Sequence, residues 1–147
     1  MPLSAFLVED HADTRDTLVE AIQELAPIKF TGVAGSEADA RQWLASNRWD
    51  IAIVDIHLAK GSGFGVLTDC IARSNMQKVV VLTGHGDEFI RRRCIELGAD
   101  AFFFKDCDME KLVDFCKVHA AYIEFMRDNG LLPPAASGWI NPGPVPR

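Results

Sequence analysis

Ile51-Ala52-Ile53-Val54-Asp55-Ile56-His57-Leu58 is an apolar run that closes on one carboxylate. Continuous rather than alternating hydrophobicity is the pattern of a parallel strand covered on both faces. Working outward, Ala5-Phe6-Leu7-Val8, Val79-Val80-Val81-Leu82 and Ala101-Phe102-Phe103-Phe104 repeat the pattern. Residues 29–34 are a weaker strand candidate between Pro27 and Gly35, suited to a place nearer the sheet edge.

Between these runs the apolar residues fall at helical spacing: Leu18, Ile22 and Leu25; Ala40, Trp43 and Leu44; Val66, Leu67 and Ile71; Phe89, Ile90, Cys94 and Leu97. Ser36 with Asp39 is a capping-box-like pair, Asp87 and Asp108 suit N-caps, and Gly98 follows Leu97 as a stop signal. A final long helix is expected over about residues 109–126, with Leu112, Val113, Cys116, His119, Ala120, Ile123 and Met126 on one face. The order is five alternations of strand and helix. A parallel connection needs a crossover, usually a helix, so an α/β fold follows, with a parallel sheet between two helical layers. After Gly130 the chain turns Pro/Gly-rich and reads as a tail or linker, which divides it into a domain over 4–127 and a tail over 128–147.

The 147 residues, 48% apolar and 24% charged, suit one domain around one core. A formal net charge of −6 argues against direct nucleic-acid or membrane partners, and Arg91-Arg92-Arg93 reads as a solvated helix face. Cys70, Cys94, Cys107 and Cys116 form no paired motif and read as reduced thiols. With neither a signal-like start nor a membrane-length apolar run, the cytoplasm is the expected location.

In an open α/β sheet the functional crevice lies beyond the carboxyl ends of the strands. Glu9 and Asp10 follow the first run, Asp55 the run quoted above, Thr83-Gly84 the next, and Lys105-Asp106 the last. Carboxylates converging on one pocket repel one another, and a hard divalent cation such as Mg²⁺ relieves this. A carboxylate beside such an ion can attack phosphorus when cations and hydrogen-bond donors neutralise the incoming charge. Lys105, Thr83 and the Gly84 backbone N–H would serve, Gly84 having no side chain in the way.

These residues resemble the receiver domain of two-component response regulators. The likeness rests on Val8-Glu9-Asp10, Ile53-Val54-Asp55-Ile56-His57-Leu58 with Gly63, Val81-Leu82-Thr83-Gly84 and Gly98-Ala99-Asp100-Ala101-Phe102-Phe103-Phe104-Lys105. It implies a flavodoxin-like (βα)5 doubly wound sheet of strand order 2-1-3-4-5. It also implies that Asp55 accepts a phosphoryl group from a histidine kinase or histidine phosphotransfer protein. Mg²⁺ would lie on Asp10, Asp55 and the His57 backbone carbonyl, with Glu9 acting through water. Lys105 would pair with the phosphoryl oxygens, Thr83 would move to meet them, and Phe102 would be the aromatic switch. Self-catalysed transfer and dephosphorylation would be the only chemistry, with no enzymatic turnover of a separate substrate.

Three departures stand out: Ala59 and Asp106 replace prolines common in the family, and Phe102 replaces a tyrosine. A haloacid-dehalogenase-like phosphatase would need a second Asp where His57 stands, and neither a G-x-x-x-x-G-K-[ST] nor a G-x-G-x-x-G motif occurs. His11, His57 and His85 match no common zinc spacing. Output is expected through contacts with a downstream protein. The alternatives are a receiver piece of a longer regulator, DNA-binding types included, and a phosphorylation-controlled homodimer using the last helix with Leu131, Leu132, Trp139 and Ile140.

Overall fold

A computed structural model describes residues 2–132; the expected roles of Trp139 and Ile140 lie outside the described residues. The elements are β1 (Leu3–Val8), α1 (Ala12–Leu25), β2 (Ile28–Ala34), α2 (Glu37–Leu44), β3 (Ile51–Val54), α3 (Gly63–Asp69), β4 (Lys78–Thr83), α4 (Glu88–Glu96), β5 (Ala101–Phe104) and α5 (Met109–Asp128). The strands pair in parallel in the order β2-β1-β3-β4-β5, the flavodoxin-like arrangement expected from the sequence. The weak strand candidate is indeed an edge strand.

Successive strand residues point to opposite faces, which explains the unbroken apolar runs. Leu7, Ile53 and Leu82 pack with Leu18 and Ile22 of α1 and Leu112, Cys116 and Ile123 of α5. Phe6, Val8, Val54 and Val81 pack with Ala40 and Leu44 of α2, Val66 and Leu67 of α3, and Cys94 of α4. Phe6 stacks flat on Trp43, with ring centroids 4.1 Å apart. Gly32 leaves room for that indole, since a Cβ there would collide with it.

Three expected core residues stand outside. Leu25 is 58% exposed because α1 ends there and the return to β2 is sealed by Ala26 and Ile28. Ile71 is 50% exposed because α3 stops at Asp69, and Cys70 takes the buried place. Phe89 is 75% exposed because it lies one residue, about 100°, from the seam of Ile90, Cys94 and Leu97. Ser36 and Asp87 cap as expected, accepting from Asp39 N and Ile90 N. Asp108 stands at the N-cap position of α5 but makes no side-chain cap, its Oδ2 instead accepting from Phe104 N at 2.9 Å. The last helix runs two residues past the expected end, Gly130 turns the chain at φ +64°, and Leu132 packs back on the α1/α5 core. Among the described residues no helix is long and apolar enough to cross a membrane.

Candidate functional site

Backbone pairing carried just past the strand ends brings the site together. Glu9 N donates to Ala34 O, Asp55 N to Val8 O and Lys105 N to Thr83 O, at 2.9, 3.0 and 2.9 Å. Three side chains from β1, β3 and β5 therefore start from one rim. Lys105 Nζ lies between two carboxylates, 2.7 Å from Glu9 Oε2 and 2.9 Å from Asp55 Oδ2. Glu9 is 1% exposed and Asp55 5%. The second Asp55 oxygen, Oδ1, accepts from His57 N at 3.1 Å.

Burial and hydrogen bonding shift the two carboxylates in opposite directions. Burial alone would raise Asp55, but the hydrogen bonds of Lys105, Glu9 and the His57 N–H hold it below the ordinary carboxylate range. Burial raises Glu9 above that range against the pull of Lys105. Burial would lower Lys105, yet its bonds to Asp55 and Glu9 raise it, so the ammonium stays charged. Asp55 is thus the acid held toward its carboxylate form, and Glu9 the one that more readily takes a proton.

Asp10 stands on the same rim but faces elsewhere: its Oδ2 accepts from Ala59 N at 2.8 Å, and its Oδ1 lies 3.1 Å from His11 Nδ1. Glu9, Asp10 and His11 place one ligand atom each within 4.8 Å of one another. Two carboxylates, one buried and one partly buried, beside an exposed imidazole form a donor set that a divalent cation could use. Thr83 is buried, and its hydroxyl donates to the His85 carbonyl at 3.0 Å rather than to Asp55, whose oxygens accept from His57 N and Lys105 Nζ. A Cβ at Gly84 would come no closer than 4.0 Å to Lys105, so space alone does not require glycine there. Phe102 is half-buried, its ring edge-on to Phe104 at 5.3 Å, and Gly86 lies so near that a Cβ would meet its Cζ at 2.9 Å.

The β3–α3 loop owes its path to Gly63, already part of the motif quoted from the sequence, and to residues that the sequence did not single out. Glu37 accepts from Ser62 N at 2.9 Å through Oε1, and its own N–H donates to Lys60 O at 3.1 Å. Arg41 fastens Glu37 to α3 through Asp69, with Nε–Oδ2 at 2.7 Å. Gly61 takes φ +86°, and Gly63 passes so close to the Asp55 carbonyl that a Cβ would collide with it. Arg15 bonds the carbonyls of Glu9 at 2.8 Å and Asp10 at 3.4 Å, fixing the turn that carries both acids. A basic residue one helical turn into α1 was the available signal for Arg15; Glu37 offered none.

The description of the response regulator receiver domain matches residues 5–117, and the chain belongs to that family of two-component signalling switches. Phospho-aspartate and Mg²⁺ are typical of the family, whose members interact with histidine kinases and output domains.

Similar proteins include the DNA-binding transcriptional activator DevR/DosR of Mycobacterium tuberculosis, 29% identical over 71% of this chain and 48% of its own. Response regulator UvrY of Escherichia coli K12 is 27% identical over 76% of this chain and 51% of its own. The chain therefore spans about half the length of these curated relatives. Among solved structures, the signal receiver domain of a Luxo repressor protein from Vibrio parahaemolyticus superposes with a TM-score of 0.71 at 21% identity, covering 86% of this chain and 96% of that one.

Proposed function

We propose that Asp55 is the phosphoacceptor, taking a phosphoryl group from a histidine kinase or histidine phosphotransfer protein. The observation that carries this reading is the Lys105 ammonium 2.9 Å from the buried Asp55 carboxylate, whose hydrogen bonds hold it below the ordinary carboxylate range against the effect of burial. A carboxylate oxygen of Asp55 forms the new O–P bond as the donor's bond to phosphorus breaks, and Lys105 neutralises the phosphoryl oxygens. Mg²⁺ would be held by Glu9, Asp10, Asp55 and the His57 carbonyl, and when bound it offsets the charge of the carboxylates and the incoming group. The Gly84 N–H adds a donor, Thr83 turns in to the modified Asp55, and Phe102 follows it. Signal output is then a change of surface read by a downstream protein. Label uptake from a small acyl-phosphate donor should require Mg²⁺ and stop on chelation. Equal uptake in excess chelator would contradict the metal assignment.

A second reading, assembly as a homodimer, is favoured by α5. Phe115, Val118, Tyr122 and Phe125 follow a 3-4-3 spacing, and the last three are 70%, 48% and 57% exposed. A two-fold axis would set such a stripe against its own copy. Light scattering should give a dimer mass for the phosphorylated chain and a monomer mass for Val118→Asp. A monomer throughout would contradict this reading.

A further inference from the structure

One carbonyl ties the two halves of the rim together. His85 O accepts from Thr83 Oγ1 at 3.0 Å and also meets His57 Nε2 at 3.0 Å. A carbonyl carries no proton, so the His57 ring nitrogen is the donor. The same His57 donates its backbone N–H to Asp55 Oδ1 at 3.1 Å. Thr83 Oγ1 in turn receives a longer bond from His85 N at 3.4 Å. One residue thus touches the candidate phosphoacceptor through its backbone and the β4–α4 loop through its side chain.

We propose that the His57 side chain is a positioning residue, a latch that holds the β4–α4 loop, and with it Thr83, turned away from Asp55. The inference rests on the reading of Asp55 as phosphoacceptor and Thr83 as the group that moves to it. For Thr83 to reach an oxygen on Asp55, its hydroxyl must leave the His85 carbonyl. While His57 grips the same carbonyl, the loop that offers this resting acceptor stays in place. Releasing the grip removes one hydrogen bond from the turned-away arrangement and none from the turned-in one. The equilibrium should therefore move toward the turned-in form by about two- to tenfold, the worth of one net hydrogen bond. His57 is exposed, so truncating it leaves no buried group unpaired.

Fluoroberyllate with Mg²⁺ is the probe, because it mimics a phosphoryl group on a carboxylate without being hydrolysed. It separates the latch from any effect of His57 on attacking water. His57→Ala should half-saturate at about two- to tenfold lower fluoroberyllate than wild type. The amide resonances of residues 84–87 in the free variant should move part of the way toward their bound positions. His57→Gln, which restores an N–H donor of similar reach, should return both readouts toward wild type. Equal half-saturation in wild type and His57→Ala, or no rescue by His57→Gln, overturns the latch alone. A wild type that binds no fluoroberyllate overturns the Asp55 reading and the latch with it.

Discussion

Asp55→Asn is expected to take up no phosphoryl group from any donor while folding as wild type does. An amide has no anionic oxygen to attack phosphorus, and its nitrogen lone pair is delocalised into the carbonyl. The fold should tolerate the change because the Asn carbonyl oxygen can still accept from His57 N, and Lys105 keeps Glu9 as its partner. Stability should stay within about 1 kcal/mol of wild type, the scale of one hydrogen bond. Label incorporation read beside a denaturant melt separates loss of chemistry from loss of fold. Uptake comparable with wild type in a folded Asp55→Asn protein would show that another side chain carries the group.

Lys105→Met should damage both chemistry and stability. The ammonium bridges two buried carboxylates, and its removal leaves Glu9 and Asp55 facing one another without a cation. Breaking a buried pair costs about 3–5 kcal/mol, and the low end applies because Lys105 is 20% exposed. The contribution of Asp55 to the pH dependence reverses in sign. In wild type Asp55 is held below its ordinary value, so its contribution is present above the unfolded carboxylate range and is lost as pH falls through the depressed folded value. Without Lys105, burial raises both acids, and the folded state binds protons more tightly than the unfolded one. The deficit should therefore be largest at neutral pH and shrink toward pH 5, and added Mg²⁺ should reduce it. Phosphoryl uptake should slow by about a hundredfold or more, the usual cost of losing a fixed charge-stabilising donor. A melt with the wild-type pH profile would refute the electrostatic account of this rim.

Much of this was legible because strands buried on both faces must be apolar throughout, and residues just after them must emerge at one rim. Asp55 and Lys105 are far apart in sequence, yet each is marked by its position after an apolar run. Periodicity cannot say where a sheet stops supporting a helix, which is why Leu25, Ile71 and Phe89 were misjudged. Nor does it see long-range polar partners: Glu37 meets Ser62, and His57 meets His85, only once the loops are folded. The resting direction of Thr83 was hidden for the same reason, because its acceptor is a carbonyl whose place depends on the loop.

The central claim is that Asp55 itself becomes an acyl phosphate. Phosphorylate the intact chain with an acyl-phosphate donor and Mg²⁺, reduce it with borohydride, and map the modified residue by mass spectrometry of the digest. Reduction of an aspartyl phosphate leaves homoserine. The account predicts that homoserine appears at position 55; reduction product at Glu9 or Asp10, or a phosphoryl group retained on His11, His57 or His85, would contradict it.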